Sequence, residues 1–530
     1  MKNHIFPIIL LAVAGFGVTS CSDSFLDTSN PNQPSSSTFW SNEDDALMAL
    51  TACYDAFQAG NLYNDNIDGW CFGFLARETC TDNGDHSWGN WMLGSSISEC
   101  SSGTNDECFS MYWKANYELI KRCNMLIDNI DRVPMEQEKI DAYRAEAIAI
   151  RSLGYCNLTS VFRDVPYLTH TLTLAEAKAP KTDKKTIVDG VIADLKANLP
   201  KLPDKANAQK GRLSREGGYA ILGRIALFDK RYDEAIAAYK EVYGKYNLYT
   251  HGDGSDGYLN YANLFTEGAE YADEVLLGVH YVGPAVGEGQ TFGVKWGAPM
   301  NAIEASMDLC DEYYCTDGKP ISESPLFNNV ATTDPARYEN RDPRLKGTCF
   351  VSGMTWNGTL YDFVNASFAA SSKVAIRKWY TPEDISHEYD GSQDFYVIRY
   401  AEVLLSYAEA LIEKGTDNTT AIACIDEVRK RVNMPSVENA EGKNLTQAQL
   451  RDIVRHERRV ELAFEDLRFA DIYRWGDFAG MQTRMRNARA TYGGGVLNHL
   501  APRGAQDNVW PIPQGEIDTN DMLVQHDEWK

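Results

Sequence analysis

The chain lacks the short signatures that identify most enzyme chemistries. It holds no Gly-x-Ser-x-Gly elbow, no phosphate-binding loop and no dinucleotide fingerprint set between a strand and a helix, which leaves no catalytic residues to name for those reaction classes. No Cys-x-x-Cys occurs, and the nine histidines never fall at His-Glu-x-x-His or comparable spacing. No metal site is therefore expected, and no cofactor is implied. Positive charge is scarce as well: 51 lysines and arginines against 75 aspartates and glutamates leave a formal net charge of −24. A phosphate backbone repels a surface of that sign, which excludes nucleic acid as a partner. Long apolar runs are absent beyond the first 20 residues, so no later segment is expected to span a bilayer.

What is present begins with a leader. Lys2 precedes an uncharged run from Ile5 to Val18, too early and too short for a spanning helix, which predicts a signal peptide over residues 1–20. The run ends in Val18-Thr19-Ser20-Cys21, small residues leading to a cysteine as in a bacterial lipobox. Cleavage before Cys21 and acylation of its sulfur and amine would anchor the mature chain by several acyl chains, so the membrane is expected to be met through the lipid alone. Residues 21–40, rich in Ser, Pro and Asn, have the composition of a tether.

The remainder, with 44% hydrophobic and 24% charged residues in the whole chain, has globular composition. Helical periodicity starts near Asn42. Ala145, Ala149, Ser152 and Cys156 line one stripe with small side chains that admit a neighbouring helix. Over 217–243, Tyr219, Leu222, Gly223, Ala226, Tyr232, Ala235 and Tyr239 occupy tetratricopeptide spacings. Gly223, Ala226 and Ala235 fall where two helices touch, and the tyrosines fill the wider gaps. A second such pair is predicted over 395–433, with Ala401, Leu405, Ala408 and Ile412 on one stripe and Gly415 as the stop. Segments 42–60 with 108–131, and 136–162 with 185–199, fit the same scheme. The expectation is a mainly α fold: a tetratricopeptide-like superhelix of about four helix pairs, with a loop-rich mixed lobe between the third and fourth. The helical regions are 41–246 and 395–530; the lobe is 247–394, with a strand-like piece from Glu274 to Val279.

Eleven cysteines remain after Cys21, an odd number. An exported chain could bridge Cys71 to Cys80 or Cys100 to Cys108, but Cys123, Cys156 and Cys424 lie in helical patterns and read as small core residues; no disulfide is predicted. In Arg455-His456-Glu457-Arg458-Arg459-Val460-Glu461, with Glu465 and Arg468 beyond, three glutamates recur every four residues on one helix face. A glycosidase needs a carboxyl whose pKa is raised by burial away from positive charge. Here arginines surround every glutamate and should push each pKa down, which predicts structural pairing. Asp342 and Arg344, flanking Pro343, read as a pinned turn between lobe and body. Asp253-Gly254-Ser255-Asp256-Gly257 lacks calcium-loop spacing and reads as a turn.

Several local signatures together resemble the SusD/RagB family of lipoproteins. Behind Cys21 stands Phe25-Leu26-Asp27, followed by Ala145-Glu146-Ala147, Arg151 and Asp164-Val165-Pro166. Asp311 to Pro320, Asn340 to Leu345 and Arg399 to Leu405 come next. Glu457 to Leu462, Arg468, Asp471, Arg474-Trp475-Gly476 and Trp510 to Gln514 complete the series across nearly the whole chain. The resemblance implies a tetratricopeptide-like body seated as a lid on a SusC-like TonB-dependent outer-membrane transporter, with no catalysis. It places the protein at the outer membrane, facing the exterior, as a receptor for oligosaccharide. The RagB branch implies the alternative, a peptide receptor on the same scaffold.

Sugar rings present flat C–H faces beside hydroxyls, so a glycan site needs exposed aromatic platforms edged by amides, carboxylates or imidazoles. His86-Ser87-Trp88-Gly89-Asn90-Trp91 crowds His86, Trp88, Asn90 and Trp91 into a stretch without helical period. Its position resembles the loop that supplies a tryptophan and an asparagine to the starch site of the family's founding member. Trp296 in a glycine-flanked loop, Trp356 beside Asn357-Gly358, and Trp70 beside Gly69 are the further candidates. Trp40, Trp113, Trp379, Trp475 and Trp510 lie in helical or apolar contexts and are expected in the core.

Overall fold

Asn42 opens the first helix with a capping box: its side chain accepts the Asp45 N–H, and the Asp45 carboxylate accepts the Asn42 N–H. The computed structural model describes residues 39–64, 72–86, 93–174, 176–284, 286–292, 303–363, 372–493 and 502–530. The helices that carry the fold are α1 (Glu43–Asp55), α2 (Glu107–Asn129), α3 (Gln137–Val161), α4 (Lys184–Asn198), α5 (Arg215–Phe228) and α6 (Tyr232–Lys240). After the lobe come α7 (Tyr400–Lys414), α8 (Asn418–Arg431), α9 (Gln447–Leu462), α10 (Arg468–Trp475) and α11 (Phe478–Tyr492). Helix α1 packs on α2, α2 on α3, α3 on α4, α5 on α6 and α7 on α8. The architecture is mainly helical and tetratricopeptide-like, as the periodicity predicts.

Steric detail follows the expected plan. A Cβ at Gly223 would stand 2.5 Å from the Tyr239 ring, so only glycine lets the α6 tyrosine lie against α5. Lys230 turns between these helices at φ 59°, and Gly415 stops α7 at φ 69°. Ala145, Ala149, Ser152 and Cys156 are all buried along α3.

One expectation is corrected. Residues 395–399 do not begin the helix of the fourth pair. Phe395-Tyr396-Val397-Ile398-Arg399 is a strand buried at every position, aromatic and β-branched as buried strands prefer, and helix starts only at Tyr400. The short strands are β1 (Gly84–His86), β2 (Val275–Val279), β3 (Ile303–Ala305), β4 (Cys349–Phe350), β5 (Thr355–Trp356), β6 (Thr359–Leu360), β7 (Ala375–Ile376) and β8 (Phe395–Arg399). They pair antiparallel as β1–β3, β2–β8, β4–β7 and β5–β6. The β2–β8 pair ties the predicted strand near 274 to the residues that lead into α7.

The core is aromatic at its centre. Trp510 lies within 5.7 Å, centroid to centroid, of Phe72, Phe109, Phe162 and Phe469. Trp40, Trp113 and Trp379 are buried as expected, whereas Trp475 is half-buried under the guanidinium groups of Arg455 and Arg474. The ten described cysteines are buried free thiols, Cys80, Cys100 and Cys108 among them.

Candidate functional site

Of the predicted ligand-binding residues, Trp70, Trp88, Asn90, Trp91 and Trp296 lie outside the described residues, as does Cys21. The residues that flank them are described, and these meet. Asn64, before segment 65–71, accepts a hydrogen bond from the Thr291 backbone (3.2 Å), next to the start of segment 293–302. Phe72, after 65–71, lies against Gly94, just after 87–92. A Cβ on Gly94 would stand 2.3 Å from the Phe72 ring, and its φ of 87° is one that side chains resist, so glycine is required twice over. His86, before 87–92, is paired in the β1–β3 ribbon with Ile303, just after 293–302. Glu304, the next residue of β3, accepts the Ser372 N–H (2.8 Å) at the end of segment 364–371. Phe292 closes the group beneath, edge-on to Phe74 (5.1 Å) and Tyr281 (5.8 Å).

The two candidates that are described fall differently. His86 is corrected: it is buried, its ring against Thr79 Oγ1 (3.4 Å) and Cys80 Sγ (3.8 Å), because the whole of β1 is packed inside the fold. Trp356 is half-buried at the tip of the β5–β6 hairpin, where Asn357 (φ 46°) and Gly358 (φ 76°) form the two-residue turn that matches strand twist. Its indole stands on Phe350 (5.3 Å) and Tyr380 (5.4 Å), while Phe350 stacks on Tyr361 at 4.0 Å. Phe350 belongs to the β4–β7 ribbon, and β7 lies against β3.

The charged helix α9 joins lobe to body. Arg399 donates to Glu274 (2.7 Å), Glu461 (2.7 Å) and Glu465 (2.6 Å); Arg344 donates to Asp342 (2.7 Å), Glu457 (2.6 Å) and Glu461 (3.0 Å). Arg431 pairs with Glu274 and Glu461, Arg429 with Glu457 (2.8 Å), and Lys378 with Glu465. Burial alone would raise the Glu457 carboxyl, but Arg344 and Arg429 hold it at about 2; Glu461 is held well below the usual range by Arg431, Arg399 and Arg344. These carboxylates stay ionised and fully paired, so they serve as struts and not as proton donors.

A profile described as the SusD family matches residues 280–529, and one described as "Starch-binding associating with outer membrane" matches residues 24–227. The chain belongs to the SusD family. SusD-like protein P2 of Formosa agariphila is 24% identical over 99% of both chains. The starch-binding protein SusD of Bacteroides thetaiotaomicron is 22% identical, over 100% of this chain and 99% of that protein. The crystal structure of a SusD-like carbohydrate-binding protein from Bacteroides fragilis superposes with a TM-score of 0.77 at 26% identity, covering 92% of this chain and all of that one.

Raised carboxyls lie apart from α9. Burial lifts Glu78, Glu270 and Asp384 to about 7. Glu78 accepts hydrogen bonds from Asn83 and from the backbone of Leu467; Asp384 accepts from Gln290 and Thr381. Residues 78 and 384 carried no sequence signal, since their burial comes from contacts remote in the chain. Their folded pKa exceeds the unfolded value, so they lower stability at neutral pH, and that loss is relieved as pH falls toward about 5. The depressed carboxylates, Glu457 and Glu312 at about 2, act oppositely: their stabilisation is present above the unfolded pKa and is lost as pH falls further. The melting temperature is expected to peak near about pH 5 in a scan from acid to alkali. A steady decline from pH 8 downward would contradict this assignment.

Proposed function

We propose that this family member is a non-catalytic receptor that captures oligosaccharide on tryptophan platforms and passes it to a SusC-like TonB-dependent transporter in the outer membrane. The observation that carries the reading is the convergence of loop ends. The segments bearing Trp70, Trp88, Asn90, Trp91 and Trp296 leave and re-enter the fold at residues bonded or packed to one another. Trp356 reaches the same strand assembly through β4 and β7. Tryptophans and an amide carried on segments whose described ends lie side by side are the residue types that suit the C–H faces and hydroxyls of a sugar. The names of two relatives support this: one is a starch-binding protein, the other a carbohydrate-binding protein.

The arginine-paired and deeply buried carboxyls support the reading without catalysis. Those on α9 are locked in arginine pairs, while Glu78 and Asp384 are buried in loop anchoring. Acylation at Cys21 would hold the chain to the outer membrane, facing outward. The direct test is binding of the mature protein to a panel of polysaccharides and to a panel of peptides of matched size. Retention by at least one glycan, with no new reducing ends released, is the expected result. Retention by peptides alone would favour the RagB-type alternative, and released sugar would establish catalysis.

A further inference from the structure

Helix α11 presents one inward stripe to which the proposed function gives no purpose. Phe478, Met481, Gln482, Met485 and Arg489 recur at helical spacing and so share a face. That face meets both shoulders of segment 87–92. On the exit side, Met481 and Met485 cluster with Cys100, and Gln482 donates to the Ser98 carbonyl (2.8 Å). On the entry side, Arg489 closes a bidentate pair on Asp85, with Nε 2.8 Å from one carboxylate oxygen and Nη2 donating to the other. Asp85 is buried in β1, and its carboxylate also accepts the N–H of His86 (2.7 Å), the last residue before the segment. Arg484 reaches Asp82 (2.6 Å) on the same run, but Asp82 is held as well by Arg468 through both oxygens (2.8 Å each), so that contact is shared.

We propose that Arg489 is a positioning residue for the glycan site: its pair with Asp85 fixes the shoulder from which segment 87–92 departs, and so sets how Trp88 and Trp91 meet sugar. The reason is geometric. One rigid helix holds both shoulders of a short segment, so the span between them is constant and less freedom is left to lose when ligand binds. A guanidinium–carboxylate fork also fixes orientation, which a single ammonium contact does not. Arg489 acts through Asp85 and β1 and need not touch the ligand. The two partners stand 404 positions apart, so no local pattern joins them. The inference rests on the reading of Trp88 and Trp91 as glycan platforms.

The test compares Arg489→Met and Arg489→Lys with Arg486→Met, a charge-matched control whose side chain donates to Thr483 on its own helix (3.3 Å). The mature chain is run through gels cast with soluble starch, laminarin, xylan or polygalacturonate, and the polysaccharide that retards the wild type most is used throughout. Arg489→Met is expected to weaken retention about tenfold, Arg489→Lys to recover part of the loss, and Arg486→Met to match the wild type. In a Trp88→Ala background Arg489→Met should cost under about threefold, a coupling that a general loosening of the fold would not produce. Arg489→Met leaves Asp85 buried without its cation, so Asp85→Asn is added to it as a second variant: the pair should regain melting temperature but not affinity. Fluorine resonances of 5-fluorotryptophan at Trp88 and Trp91, read without ligand, should move in Arg489→Met and stay in Arg486→Met. Unmoved resonances, or a loss of retention that simply adds to that of Trp88→Ala, would overturn the proposal. Moved resonances with Trp88→Ala and Trp91→Ala both retained like the wild type would overturn the glycan reading itself, and the role of Arg489 with it.

Discussion

Glu461→Ala is expected to destabilise the protein by about 3–5 kcal/mol, the range for removing one partner of a buried charge group. Glu461 is fully buried and accepts from Arg344, Arg399 and Arg431, three guanidinium groups drawn from the lobe, the strand before α7 and the end of α8. Deleting its carboxylate leaves those cations in a site closed to water, with Glu274, Asp342, Glu457 and Glu465 as the remaining counter-charges. Desolvation that was offset by pairing is then uncompensated, and the lobe loses its strongest tie to the body. Glu461→Gln keeps the shape and one acceptor, so it should cost less than alanine while still lowering the midpoint. Denaturant titration of both variants checks the order. A loss below roughly 1 kcal/mol for the alanine variant would mean that the network is not holding the lobe.

The second large effect concerns binding and not stability. Trp88→Ala, Trp91→Ala and Trp296→Ala are each expected to weaken glycan retention by about thirtyfold, the equivalent of a hot-spot loss of about 2 kcal/mol, with the melting temperature nearly unchanged. Trp379→Ala supplies the contrast. Its ring is buried between Phe265, Phe395 and Tyr396, and its Nε1 donates to the Phe464 carbonyl (2.8 Å), so truncation should cost about 3–5 kcal/mol of folding free energy. His86→Ala belongs with Trp379: it should lower stability and leave affinity intact. If the three loop variants retained glycan as well as the wild type, the convergent loop ends would have some other purpose. Affinity electrophoresis with thermal melts on the same preparations separates the two classes.

Much of this could be read along the chain because the controlling interactions are local. The tetratricopeptide spacing of Gly223 and Tyr239, the Gly415 stop and the turn at Lys230 depend on residues a few positions apart, and the structure places them as periodicity requires. The depressed carboxyls of α9 were likewise legible, since arginines at neighbouring helix positions already announce the sign of the field. The segment 395–399 was misread because a helical stripe begins immediately after it, and a short apolar run has no period of its own to separate strand from helix.

The amino-acid order by itself determined the mainly helical class, the repeat pattern, the family and the sign of the buried charges, all of which follow from spacing and residue type. Only the tertiary structure decided which cations meet Glu461, since Arg344, Arg399 and Arg431 arrive from separate elements far apart in the chain. It alone turned His86 inward and set the ends of the tryptophan-bearing loops side by side, because strand register and packing are relations between remote residues that no local pattern encodes.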